Sequence, residues 1–268
     1  MMKTFSVYSL VVCVLIPIVL SAQEDAPASI RFQIFIWAGE SPPTFMQDSD
    51  SNISKNKQPD KVRYDETTGR WDMPEPEPYE FSYEERAGTI RKIVLHDMAL
   101  SRSFVYTGSP ELEFFEESVG ADGSATRLSK GQLTIPAGAR EMTLIFFPSL
   151  NGQFRILPIE TPLDIIGREQ QMFYNLTAVP LGIALGEPRF MLPPGGSKVV
   201  EINSPDGIYQ PIMIVTQDEG GEWRRRLARK LVIARGKPVL YILYNPANQP
   251  ENVRMITISG FGEFSEDT

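Results

Sequence analysis

Few residues of this chain have the types and spacing that chemistry needs. The one histidine, His96, stands beside Asp97 at the end of the apolar run Ile93-Val94-Leu95. Histidine is the usual proton carrier at neutral pH, so such a pair could begin a serine triad or a metal site. Neither is completed. There is no G-x-S-x-G elbow, and Ser101 and Ser103 lie in no nucleophile motif. One histidine with one neighbouring carboxylate falls short of a zinc ligand set. His96 therefore reads as a strand-end or loop residue.

Paired carboxylates can hydrolyse glycosides without histidine, but no pair is recognisable here. Glu111, Glu113, Glu116 and Glu117 alternate with or flank apolar residues, as the wet face of a strand does. Asp218-Glu219-Gly220-Gly221 and Asp122-Gly123 read as turns, since a calcium loop needs further oxygens at fixed spacing. No phosphate loop or dinucleotide fingerprint occurs. The expectation is a protein that is not an enzyme, with no catalytic residue, metal ligand or cofactor assigned.

Binding chemistry is better represented. Arg224-Arg225-Arg226 follows Trp223, with Arg229 and Lys230 close behind. In a net acidic chain this is a local basic patch, able to grip an anionic polymer or an acidic partner; its bland alternative is a solvated strand face. Trp71 and Tyr79 stand among loop aromatics that could either pin a loop to the domain or form a recognition surface, as carbohydrate-binding modules use. The candidate interaction residues are thus Trp71, Tyr79, Trp223, Arg224, Arg225 and Arg226.

The first 22 residues set the expected compartment. Lys3, the apolar run Val11 to Leu20 and the small pair Ser21-Ala22 make a secretory signal peptide, too short for a comfortable membrane span. The reading is a protein of the periplasm, cell surface or exterior, with no stable membrane span after cleavage. The only cysteine, Cys13, leaves with the leader, so disulfides, thiolate metal sites and a cysteine nucleophile are excluded from the mature chain. The charge of −8 becomes −9 without Lys3, which disfavours nucleic acid as a partner. Asn52-Ile53-Ser54 and Asn175-Leu176-Thr177 are glycosylation triplets, read as incidental.

The elements that would carry these residues are strands. Ile30 to Trp37 alternates and is rich in β-branched and aromatic residues, and short apolar stretches recur from Ile90 to Ile258 with prolines and glycines between them. Residues 39–88 are a long polar, proline-rich excursion. Residues 163–171 and 222–230 could be helical, the second equally a strand. An echo runs through the chain. Leu133 to Pro148 matches Leu231 to Pro246 without a gap, 98 positions later; Pro110 to Phe115 resembles Pro211 to Thr216; and Leu192 to Gly195 resembles Ile135 to Gly138. A period near 100 residues suits a sandwich domain. The predicted fold is all-β: two immunoglobulin-like β-sandwich domains, 28–162 and 170–260, related by divergent duplication, with the 39–88 excursion as a long insertion in the first.

The Leu-x-Ile-Pro-x-Gly turn, Tyr174-Asn175-Leu176-Thr177 and Leu192-Pro-Pro-Gly195-Gly196-Ser197 resemble an uncharacterised family of exported bacterial β-sandwich proteins over residues 90–258. That resemblance implies the fold and brings no activity. The expected function is structural or protein-interaction. The alternatives are a carbohydrate-binding module for cell-envelope polysaccharide and a two-domain periplasmic chaperone.

Overall fold

The computed structural model describes residues 28–38, 43, 63–65, 70–72, 77–119, 124–149, 151–162, 166, 170–201, 209–233 and 237–260. The expected leader, most of the 39–88 excursion, the Asn52 triplet and the Asp122-Gly123 turn lie outside them.

The described residues form strands and no helix. The first half carries β1 (Ala28–Ile36), the small hairpin β2 (Arg63–Asp65) and β3 (Arg70–Asp72), β4 (Tyr79–Arg86), β5 (Thr89–Leu95), β6 (Phe104–Gly108), β7 (Glu111–Val119), β8 (Ala125–Thr134), β9 (Glu141–Pro148) and β10 (Phe154–Glu160). The second carries β11 (Gln170–Asn175), β12 (Leu181–Leu185), β13 (Arg189–Leu192), β14 (Ser197–Glu201), β15 (Tyr209–Gln217), β16 (Trp223–Val232), β17 (Val239–Tyr244) and β18 (Arg254–Ser259).

Besides the β2–β3 hairpin these make four small sheets in two pairs, hence two β-sandwiches. The first half has β5-β4-β7-β8 and β10-β9-β1-β6; the second has β13-β12-β15-β16 and β18-β17-β11-β14. Numbering the eight principal strands of each half a to h gives the same two sheets, c-b-e-f and h-g-a-d. Even the single parallel pairing recurs, β1 with β9 and β11 with β17. The likeness to immunoglobulin domains lies in this two-sheet architecture; their constant type sorts seven strands as ABED and CFG.

The halves are stacked, and burial says how. β15 alternates exposed and buried along its length, as a sheet with one wet face must. β9 and β17 do not alternate: Met142 to Phe147 and Val239 to Tyr244 are buried without a break. Their sheets are covered on both faces. One face of each fills its own sandwich, around Phe32, Phe114 and Phe146 in the first half and Phe173, Ile214 and Tyr241 in the second. Their other faces meet in a third apolar layer, where Phe35, Trp37, Ile145 and Phe147 of the first half pack with Met172, Leu240, Ile242 and Tyr244 of the second. The edge of Trp37 meets the Tyr244 ring with centroids 4.6 Å apart. The molecule is therefore four sheets deep, with c-b-e-f sheets outermost at both ends.

The duplicate alignment needs one correction. Leu112 opposes Leu133 as Gln210 opposes Leu231, so the offset of 98 holds for β8 and β16. It also makes Gln210, not Met213, the counterpart of Leu112. For β9 and β17 the offset is 97. The Trp37 N–H donates to the Phe146 carbonyl at 2.9 Å, and the Leu176 N–H to the Leu243 carbonyl at 2.7 Å. A slip of one residue reverses every side chain's face. The gap-free echo passed over it because both faces of these strands are apolar. The 192–195 and 135–138 likeness is a shared turn rather than a duplicated position. Gly138 and Gly195 hold φ of 83° and 67°, and Ala139 and Gly196 donate back to the Pro136 and Pro193 carbonyls.

Candidate interaction face

Of the neighbours His96 and Asp97, Asp97 ties down the backbone. The Asp97 carboxylate accepts the Ala38 N–H at 2.8 Å, and Asp97 bridges Ile36. His96 is exposed beside it. Among the described residues no three histidine, cysteine or acidic side chains gather as a metal site. An open hollow of about 420 Å³ lies where Met98 of the first half meets Leu227, Tyr244, Arg254 and Ile256 of the second.

The candidate aromatics separate. Tyr79 is half-buried on β4, edge-on to Phe154 at 5.6 Å, and burial followed by the nearby Asp97 charge raises its pKa. It closes the first core together with Phe81 and Tyr83, which strand β4 draws out of the expected excursion. Trp71 opposes Tyr64 in the β2–β3 hairpin, and its side chain lies outside the described residues.

Trp223 is different. It begins β16, yet its indole reaches across β15 to lie over Gly182 of β12. A Cβ on Gly182 would stand 2.8 Å from Val215 and 3.3 Å from the indole, with the Met191 sulfur at 3.6 Å. The missing side chain is the seat of the ring. Gly182 is buried, while Trp223 remains 52% exposed.

The three consecutive arginines do not act together. Arg224 turns to the β15–β16 turn and pairs with Asp218 at 2.8 Å and Glu222 at 2.9 Å. The Arg224 guanidinium first, then the Glu222 and Gly220 N–H groups, hold the Asp218 carboxyl below its usual range. Arg226 is the extra residue of a bulge opposite Ile214 and Val215, and its Nε donates to Thr216 Oγ1 at 2.8 Å. Arg225 alone opposes Val215 on the outer face.

That outer face is the candidate site. Pairing and alternation put Arg189 and Met191 of β13, Gly182 and Ala184 of β12, Tyr209, Met213 and Val215 of β15, and Trp223, Arg225, Ala228 and Lys230 of β16 on one side of the sheet. Met191 and Met213 are 51% and 43% exposed. Lys230 lies 5.9 Å from the Tyr209 ring centre. The same outer face in the first half is charged and internally paired: Lys92 with Glu80 at 2.6 Å, Arg127 with Glu84 and Glu117 at 3.3 and 3.7 Å, and Arg127 4.4 Å above the Phe115 ring.

No family model matches the chain, and no curated protein matches it.

The site therefore has to be read from its geometry. Its arrangement offers exposed methionines, the rings of Trp223 and Tyr209 and cations at the margin. Sequence reasoning found Trp223 and Arg225 and missed Met191, Met213, Arg189 and Gly182. A signal was present: in β15 the outward set Tyr209, Pro211, Met213 and Val215 is as apolar as the inward set, unusual for a strand with one wet side.

The motifs behind the family resemblance have a structural role. Asn175 is fully buried. Its Nδ2 donates to the Val179 and Leu192 carbonyls at 2.9 Å each, and its Oδ1 accepts from the Thr177 N–H and hydroxyl at 2.9 and 2.7 Å. Its main chain bonds Gly195 and Gly196. Asn175-Leu176-Thr177 and the Pro-Pro-Gly-Gly turn are one polar lock, and its asparagine offers no free amide to a glycan.

Proposed function

We propose that this is an exported, non-catalytic protein whose role is structural or protein-interaction, exercised through the outer face of β13-β12-β15-β16. The observation that carries this reading is Trp223 seated over Gly182 beside Val215 and Met191, on a face whose duplicate in the first half is crossed by ion pairs. An apolar surface of this kind on one outer sheet is held open only at a cost in solubility, which argues for use. The exported compartment rests on the leader-like first 22 residues.

The test is a photo-crosslinking residue at Met213, with Val105, exposed to a similar degree on β6, as the control. Discrete adducts at Met213 and none at Val105 are expected in the compartment where the protein works. Equal labelling at both sites, or none at Met213, overturns the reading.

Trp223 also favours a second reading, a platform for cell-envelope polysaccharide. A half-exposed indole seated over a glycine of the sheet suits contact with a sugar ring. Retention on polysaccharide columns, lost in Trp223→Ala, would move the assignment there. The chaperone alternative finds no support in the groove it would need, because an apolar layer occupies the space between the sandwiches.

A further inference from the structure

The two outer faces of the four-sheet stack carry opposite charge. On the β13-β12-β15-β16 face stand Arg189, Arg225 and Lys230, and register places no carboxylate among them. On the β5-β4-β7-β8 face stand Glu80, Glu84, Glu111, Glu113 and Glu117 against Lys92 and Arg127. The first face nets three positive charges and the second three negative, after its internal ion pairs are counted. Both also show apolar side chains to solvent, Met191, Met213 and Trp223 on one, Ile90 and Val94 on the other. Both are four-stranded sheets in the same topological position.

Resting on the reading of the open face given above, we infer that its partner is a second copy of this chain, docked by its acidic outer sheet. The chain already uses this mode of contact internally, where the sheet containing β1 stacks on the sheet containing β11. Docking an end of one molecule on the opposite end of the next continues that stack. The contact is heterologous, so it does not close on two copies; it propagates as a ring or an open filament. The cations repel a like face, which disfavours the two-fold alternative of open face on open face.

Size sets the strength. Four strands at about 4.8 Å spacing and about seven residues at roughly 3.3 Å give a projected face of about 450 Å². Two such faces sit at the small end of specific interfaces, so the association is reversible and of micromolar order. Its charge component weakens as salt shortens the screening length.

The experiment is sedimentation velocity on the exported, purified protein across a concentration series, at low and high salt. The expected result is a mass that keeps rising past the dimer and falls with salt. Arg225→Glu and Glu113→Lys each disable one face, and each alone should weaken association roughly tenfold or more. Mixed together, they retain one working face apiece and should stop at a heterodimer. Met213→Glu gives a second, uncharged-to-charged probe of the open face should Arg225→Glu fail to fold. A wild-type protein that stays monomeric overturns the inference. So does a dimer indifferent to Glu113→Lys. If the protein is monomeric while Met213 still captures a different molecule, self-docking fails and the interaction reading stands; if Met213 captures nothing, both fail.

Discussion

Asn175 shows how much one side chain can organise. It spends both amide hydrogens and its oxygen on the turn that links β11 to β12 and on the turn that links β13 to β14. Asn175→Ala leaves the Leu192 carbonyl and the Thr177 N–H without their partner, while the Thr177 hydroxyl still donates to the Val179 carbonyl. Each orphaned group costs about 1–3 kcal/mol, so the variant should lose at least about 2 kcal/mol in denaturant unfolding. A loss below about 1 kcal/mol would show that the turns hold without it. Buried phenols give a second residue-scale expectation. Burial pushes Tyr241 up to about 12, against a smaller opposing influence from Arg229, and raises Tyr83 further. With folded values above the ordinary 10.0, their contribution is intact below pH 10 and is lost as pH rises through the folded values. Tyrosinate absorbance from these two rings, read as the difference from Tyr83→Phe and Tyr241→Phe variants, should therefore appear late, together with unfolding; its appearance at the ordinary value with the fold intact would contradict the burial.

At the scale of elements, the arginine run has an explanation that the charge pattern alone concealed. β8 and β16 are the long outer strands of their sheets, and an open edge invites pairing with other chains. Each is broken by a bulge whose extra residue is basic, Lys130 in one and Arg226 in the other. Deleting Arg226 restores regular alternation, with Arg225 still outward and Leu227 still inward, and leaves an unbroken nine-residue edge from the ten of β16. Raised light scattering on storage is the expected outcome, and unchanged scattering would assign the bulge another purpose. The turn beside it titrates. Asp218 is held low by Arg224 and by backbone N–H groups, so what it contributes is present above its ordinary value of 3.8 and lost as pH falls through the lowered one. Asp218→Asn should flatten the acid limb of a melting-temperature profile.

Much of this was legible in the chain. Strands β1, β7, β9, β15 and β17 announce themselves by composition, and the duplication by its echo. β12 and β13 were missed because Leu-Gly-Ile-Ala-Leu and Arg-Phe-Met-Leu are too short and too mixed for periodicity to register. The site was half legible. Trp223 stands out as a type, but its seat depends on Gly182, forty-one positions earlier and two strands away, a relation only the register supplies.

For the whole molecule the third apolar layer matters most. Phe35, Trp37, Ile145 and Phe147 are as buried as the residues inside either sandwich, so the halves should unfold together. Trp37 emission and far-ultraviolet dichroism are expected to follow one transition, and Ile242→Ala should shift both by about 2–5 kcal/mol. Two separated transitions would show that the layer does not couple them.

That layer also makes the first sandwich depend on strands that follow it in sequence. Its second-half side is built from β11, β17 and β18, and β18 ends at Ser259. A chain that stops early, or is still emerging, shows the aromatic back of its first sandwich to chaperones and proteases. Strands β11, β17 and β18 thus cover what would otherwise be an exposed aromatic surface on the first sandwich.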